Sequence, residues 1–284
     1  MALHDRILLA TDLSARSDRA LDRAMMVAKR EGAELVVLHV LEPTPGNRYY
    51  PRAQPLAALA AIARAQLIHD LGDYAEHAQV RIEDGDPAEV IARVAREHAS
   101  TLIVVGVARV ERLGRFTLGN TVERLVRGVE TPLLIVTDRP RGRYQRVCVA
   151  VDFSPVSRQS LELATSLFPG QRITALHAYQ PLATYGASDI EQHRAQFRSA
   201  AELDFAKWLD SAAISVQTRG LVNTRIELGE ASRAIRNAAE NGDFDLVIIG
   251  TRGRGRIFEF FIGSVAKQIL AELPCDALFV RETK

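Results

Sequence analysis

The sequence predicts an α/β protein of two similar domains, each an open parallel sheet of about five strands with helices between them. Three observations carry that prediction. The chain has 284 residues, room for one large or two ordinary domains at roughly 100–200 residues each. Four sequence blocks occur twice in the same order. Within each copy, short apolar runs alternate with segments of helical periodicity.

The blocks are explicit. Ala10-Thr11-Asp12-Leu13-Ser14 returns as Ala150-Val151-Asp152-Phe153-Ser154. Leu38-His39-Val40 returns as Leu176-His177-Ala178. Arg81-Ile82-Glu83-Asp84-Gly85-Asp86 returns as Arg225-Ile226-Glu227-Leu228-Gly229-Glu230, and Leu102-Ile103-Val104-Val105-Gly106 as Leu246-Val247-Ile248-Ile249-Gly250. The offset is 140 residues at Asp12/Asp152, 138 at His39/His177 and 144 at Gly106/Gly250. A period this long is no solenoid repeat. It predicts domains at 1–138 and 144–284, joined by the Pro-, Gly- and Arg-bearing segment 138–143.

In the first half, a strand is predicted at 6–10 and a helix at 14–30, with Ser14 or Ser17 as N-cap and Gly32 past its end. A strand at 34–40 follows, then a long Ala- and Leu-rich helix at 55–77, whose stretch 57–67 is expected to face the core. After a short strand at 80–83, Asp86 as cap and Pro87 at the first helical position open a helix to about 98. The all-apolar run 101–105 reads as a strand buried on both faces. A helix at 120–127 and a strand at 133–136 close the unit. In open sheets of this kind, ligands bind beyond the carboxyl ends of the strands, where Asp12 and Asp152 fall.

Composition narrows the function classes. Lys+Arg 36 against Asp+Glu 35 leaves a net charge of +1, so no specific nucleic-acid partner and no anionic membrane surface is expected. Two cysteines exclude a disulfide-rich scaffold. The start, Met-Ala-Leu-His-Asp-Arg, lacks the features of a signal peptide, and no apolar stretch is long enough to cross a bilayer. The expectation is a soluble, cytoplasmic protein.

The most informative segment follows the buried run ending at Ile249. Gly250, Gly253 and Gly255 come first, and nine residues after Gly253 come Gly263-Ser264 and a helix-forming run. Glycines let backbone N–H groups approach an anion, and a helix start favours phosphate. Ser264 can cap the helix or give its hydroxyl to a phosphate oxygen. No Gly-Lys-Ser/Thr follows, so this is not a Walker A loop.

Gly-x-x-Gly, nine residues, then Gly-Ser resembles the nucleotide-binding pattern of the universal stress protein family, and Gly250, Gly253, Gly263 and Ser264 fit it without a gap. Ala150-Val151-Asp152, Leu176-His177-Ala178-Tyr179 and Leu273-Pro274-Cys275-Asp276 also look like that family. The resemblance covers both halves and implies a tandem member with Rossmann-like, adenine nucleotide-binding domains. In ATP-binding members the aspartate after strand one lies near ribose and phosphate-bound metal. Adenine meets main-chain groups at the end of strand two, and the glycine loop holds the phosphates. Carried over, this nominates Val151, Asp152, Ala178, Gly250, Thr251, Gly253, Gly263, Ser264 and Val265, with ATP as ligand and Mg²⁺ reaching Asp152 only through the nucleotide. The first half keeps Asp12, Val40, Gly106 and Gly119 but has Arg109 for the second loop glycine and Asn120 for the serine, so its loop is degenerate. The family commonly pairs through its last strands. That implies intramolecular pairing of 132–136 with 276–280, and leaves a homodimer open.

Other residues have plainer readings beside functional ones. His39 and His177 read as satisfied strand-end histidines before acid/base groups. Asp12 and Asp152 could also be turn caps through Asp-x-Ser. Cys148 reads as a core residue, Cys275 as a strand-entrance residue, and neither as a zinc ligand. Arg252, Arg254 and Arg256 can reach phosphates or a partner, and residues 257–262 are expected to pack on the protein. Trp208, Phe205 and Leu209 read as core. Three functions follow in order: an ATP-binding stress-response protein whose nucleotide biases conformation or partner choice, an interaction scaffold that has lost nucleotide binding, and a slow ATPase or phosphotransferase. No Walker lysine and no positioned base is visible, so no catalytic residue is nominated.

Overall fold

The computed structural model describes residues 5–15, 17–42, 55–107, 120–180, 190–251, 263–272 and 274–282. The chain forms two compact units, Met1–Gly142 and Arg143–Lys284, dividing inside the segment 138–143. Each is an α/β unit with its own five-stranded parallel sheet, as the repeat predicts.

The first unit runs β1 (Arg6–Thr11), α1 (Asp18–Glu31), β2 (Glu34–Leu41), α2 (Leu56–Leu71), β3 (Ala78–Asp84), α3 (Pro87–Glu97), β4 (Leu102–Gly106), α4 (Asn120–Gly128) and β5 (Leu133–Val136). Its strand order is β3-β2-β1-β4-β5, all parallel. The order reverses between β1 and β4, so the crevice beyond their carboxyl ends is the switch point of the sheet. Ile7, Leu8, Leu9, Ile103 and Val104 are fully buried, because helices cover both faces.

The second unit runs β6 (Val147–Val151), α5 (Pro155–Leu167), β7 (Ile173–Tyr179), α6 (Ile190–Asp210), α7 (Val216–Arg219), β8 (Val222–Leu228), α8 (Ala231–Glu240), β9 (Leu246–Gly250), α9 (Ser264–Ala271) and β10 (Asp276–Val280). Its strand order is β8-β7-β6-β9-β10, again all parallel, with the switch point between β6 and β9.

Local chemistry explains the boundaries. Asp86 accepts a hydrogen bond from the Glu89 amide at 3.0 Å, and Pro87 takes the first position of α3. Arg124 on α4 pairs with Asp86 at 2.6 Å and holds its carboxyl below the usual carboxylate range. In the second unit Ser154 caps α5, accepting from the Ser157 amide at 3.2 Å.

Four expectations need correcting. α1 begins at Asp18 rather than near residue 14, with Ser17, one of the two expected caps, at the N-cap position; its hydroxyl donates to Asp12 at 2.7 Å and makes no cap bond to the helix. The long helix predicted to 77 ends at Leu71 and continues as a 3-10 turn, Gly72–His77. Nor does the stretch 57–67 face the core throughout: Ala63 and Leu67 are buried, but Leu59 and Ile62 are exposed, as are Leu56 and Ile68 on either side. Phe205 and Trp208 do lie in the core, as does Cys148, but Leu209, also expected there, is only half-buried.

Candidate functional site

Each unit has a cleft at its switch point. In the second unit the cavity is about 360 Å³, and Asp152, Gly250, Gly263, Ser264 and Val265 line it together with Val151. These nominated residues lie far apart in sequence. They meet because β6 and β9 are adjacent parallel strands whose carboxyl ends fall at one edge.

The turn after β6 is held in an unusual backbone conformation. Phe153 has φ +62°, the left-handed region that costs a non-glycine residue of order 1–3 kcal/mol. Its ring packs on His177 (centroids 4.2 Å apart), Phe205 (5.6 Å) and Trp208 (6.2 Å), contacts that offset the strain. The turn leaves Asp152 at the cleft, with Oδ1 accepting from the Ser154 amide at 3.0 Å. His177 Nδ1 donates to the Val151 carbonyl at 2.8 Å, since a carbonyl only accepts. His39 does the same to Thr11 at 2.9 Å. Both histidines are thus tied to the end of the first strand of their unit.

The far side of the cleft is the start of α9. Buried Thr251 donates its amide to Val280 at 2.8 Å and accepts from the Gly263 amide at 2.8 Å. That bond joins Thr251 to Gly263, which lines the cleft. It also engages the Gly263 N–H, so the donors at this helix start are the amides of Ser264, Val265 and Ala266, which have no intrahelical acceptor. The Ser264 side chain is exposed and makes no cap bond, and Gly263, at φ −57° and ψ 151°, stands in a conformation open to any residue. Asp152 is the one ionisable side chain among the described lining residues.

The first unit repeats the design with changes. Asp12, Val40 and Gly106 line a cleft of about 200 Å³. Leu13 has φ +58°, matching Phe153. Asp12 Oδ1 accepts from the Ser14 amide at 3.0 Å, the Ser14 hydroxyl at 2.5 Å and the Ser17 hydroxyl at 2.7 Å. Glu42 adds a second carboxylate to the lining.

Not every nominated residue lines a cleft. Ala178 lies on β7 in register with Glu227, Thr251 is buried behind the loop ends, and Asn120 is exposed at the start of α4, where Thr121 is the lining neighbour. Gly253, Gly119, Arg109, the arginines 252, 254 and 256, and the apolar run 257–262 lie outside the described residues. Lining residues not nominated include Ala231 and Ile235, one turn apart on α8. A sequence signal for them exists. The repeated Gly85 and Gly229 have φ +136° and +124°, and each donates its amide to the end of the neighbouring strand, Leu41 at 3.1 Å and Tyr179 at 2.9 Å. Each glycine turns the chain from the third strand into the helix whose first turn meets the cleft. Among the described residues no three His, Cys, Asp or Glu side chains cluster as a metal site, and no helix is long and apolar enough to cross a membrane.

A sequence profile of the universal stress protein family matches residues 4–137 and again 143–281. A universal stress protein of Synechocystis is 28% identical over 155 residues, covering 49% of this chain and 98% of that protein. One from Thermus aquaticus is 26% identical over 140 residues, covering 49% and 99%. The crystal structure of a universal stress protein from Archaeoglobus fulgidus aligns over 98% of this chain and 99% of its own with a TM-score of 0.69 at 21% identity, a likeness of fold.

Proposed function

The chain belongs to the universal stress protein family, and on that premise we propose that its second unit binds ATP, with Mg²⁺ held through the nucleotide, as a signal that biases conformation or partner choice. The observation that carries the reading is the convergence of Asp152, Gly250, Gly263, Ser264 and Val265 on one cavity of about 360 Å³. That volume falls within the roughly 300–1,000 Å³ of small-molecule pockets. The donor set fits a polyphosphate. The amides of Ser264, Val265 and Ala266, at the positive end of α9, offer hydrogen bonds to phosphate oxygens, and the Ser264 hydroxyl adds another. Asp152 accepts from a ribose hydroxyl or takes a place beside the metal. Leu176, Ile235 and Ile249 supply an apolar wall for a base. A cytoplasmic location belongs to the same proposal, and cysteines that are few and buried suit a reducing compartment.

The test is direct. Protein freshly purified from the cytoplasmic fraction is denatured, and released nucleotide is identified by chromatography and mass. Bound ATP is expected, and its loss in Gly263→Glu, which puts bulk and negative charge at the helix start. Wild-type protein that carries none and shows no ATP binding by calorimetry sinks the reading; so does a mutant that retains it equally.

A second reading, an interaction scaffold, has one observation of its own. Leu56, Leu59, Ile62 and Ile68 stand exposed on α2, an apolar surface of the kind partners cover. The calorimetry that fails for ATP would favour it.

A further inference from the structure

The two clefts form an internal control, because one fold presents two linings. Resting on the reading of the second cleft as an ATP site, we infer that the first cleft rejects the nucleotide the second takes, and that Val40, Pro87, Val122 and Glu42 are the residues that set this difference. The first three narrow the space. Val40 on β2 pairs in register with Glu83, as Ala178 on β7 pairs with Glu227. Pro87 opens α3 where Ala231 opens α8. Val122 is the third residue of α4 where Ala266 is the third of α9. Val40, Pro87 and Val122 all line the first cleft, whereas Ala231 and Ala266 line the second and Ala178 does not reach it; the six added carbon atoms accompany a cavity of about 200 Å³ against 360 Å³. The smaller figure lies below the roughly 300 Å³ at which small-molecule pockets begin.

Charge acts in the same direction. Glu42 brings a carboxylate into the first lining, where the second unit has neutral Gln180 after β7. A polyphosphate entering the first cleft meets Glu42 and Asp12, and like charges in a partly desolvated cleft oppose binding. Asp12 is also already engaged, through three donors on Oδ1, whereas Asp152 Oδ1 accepts from the Ser154 amide. The first turn has spent on itself the acceptor that the second offers to a ligand.

Nucleotide stoichiometry tests this on the full chain, by equilibrium dialysis with radiolabelled ATP and Mg²⁺. One ATP per chain is expected, falling to none in Gly263→Glu. Two per chain overturns the inference and leaves the ATP reading standing. None in the wild type overturns the ATP reading and this inference with it. Exchanging the linings tests the residues. Ala178→Val with Ala266→Val in the second unit is expected to weaken binding about tenfold or more, the size of a misfit by a methylene or two in a pocket. Val40→Ala, Val122→Ala and Glu42→Gln together, in the Gly263→Glu background, are expected to restore measurable binding. Each variant is checked by circular dichroism and urea midpoint. If that triple variant folds and stays empty, these residues are not the determinants. Wild-type affinity in the folded double variant overturns the steric half.

Discussion

Asp12 and Asp152 stand at the same turn in two copies of one fold, each followed by a residue at positive φ, yet the turns are wired differently. In the first unit Ser14 and Ser17 both give their hydroxyls to Asp12, and α1 starts at Asp18. In the second, Pro155 pre-sets the helical φ where the first unit has Ala15. α5 therefore starts at Pro155, and the Ser154 hydroxyl caps it, leaving only the Ser154 amide on the aspartate. The serine hydroxyl is the same group in both places. Where the helix begins decides whether that hydroxyl satisfies a backbone amide or ties up a carboxylate. Conservation of a motif's letters thus does not secure conservation of its free acceptors.

Mutations at matched positions break or sharpen this contrast. The largest effect is expected at the helices flanking the second strand of each unit. α6 is anchored by Phe205 in an aromatic cluster, and α2 by Leu67. Phe205→Ala should cost about 3–5 kcal/mol and Leu67→Ala about 2–5 kcal/mol, with the phenylalanine the larger, read from urea unfolding. Equal costs would remove the idea that the aromatic cluster braces the second turn. Next, Gly263→Glu should weaken ATP binding about 100-fold, near 2.7 kcal/mol, while Gly119→Glu changes it less than about twofold. A matching loss from Gly119→Glu would make the two sites equivalent. Smaller still, Ser154→Ala should cost about 1 kcal/mol as a lost cap, and Ser14→Ala within about 0.5 kcal/mol, by thermal unfolding. Last, burial pushes the Cys148 thiol far up, and Cys275 is buried as well. Neither should react with a thiol reagent at pH 8 in native protein, and both should react in denaturant. Rapid native labelling would show that the core around β6 opens, unlike that around Leu8, its counterpart in β1.

The fold was legible because its signals are local and doubled. Apolar runs such as Leu102–Gly106 recur in the second copy as Leu246–Gly250, and the Asp86-Pro87 helix start carries its own chemistry without a copy, since Glu230-Ala231 stands in its place. The start of α1 was legible only as a choice between Ser14 and Ser17, and that the Ser17 hydroxyl would reach back five residues to Asp12 instead of capping the helix was not. The exposed face of α2 was missed because Ala- and Leu-rich periodicity reads as burial whichever side meets the sheet. The lining of the clefts was legible on the strands and at Gly263-Ser264, where pattern and position coincide. Ala231 and Ile235 escaped because their signal is indirect, the repeated glycine that turns the chain into α8, and Ala266 because a small apolar residue carries no signature until the fold sets it beside a cavity.

The order of strands also bears on how the chain is made. β1 cannot pair with β4 until roughly 95 further residues exist, since Ile7 meets Leu102. All pairings of the first sheet nevertheless fall within residues 6–136. At roughly 5–20 residues per second, the ribosome needs on the order of 10 s to add the second half. During that interval the first sheet can close before strands of similar sequence emerge to compete for its registers. Refolding from denaturant gives no such head start. It is expected to show slow phases and mispaired, aggregation-prone species that vectorial synthesis avoids, visible as refolding yield that falls with chain concentration.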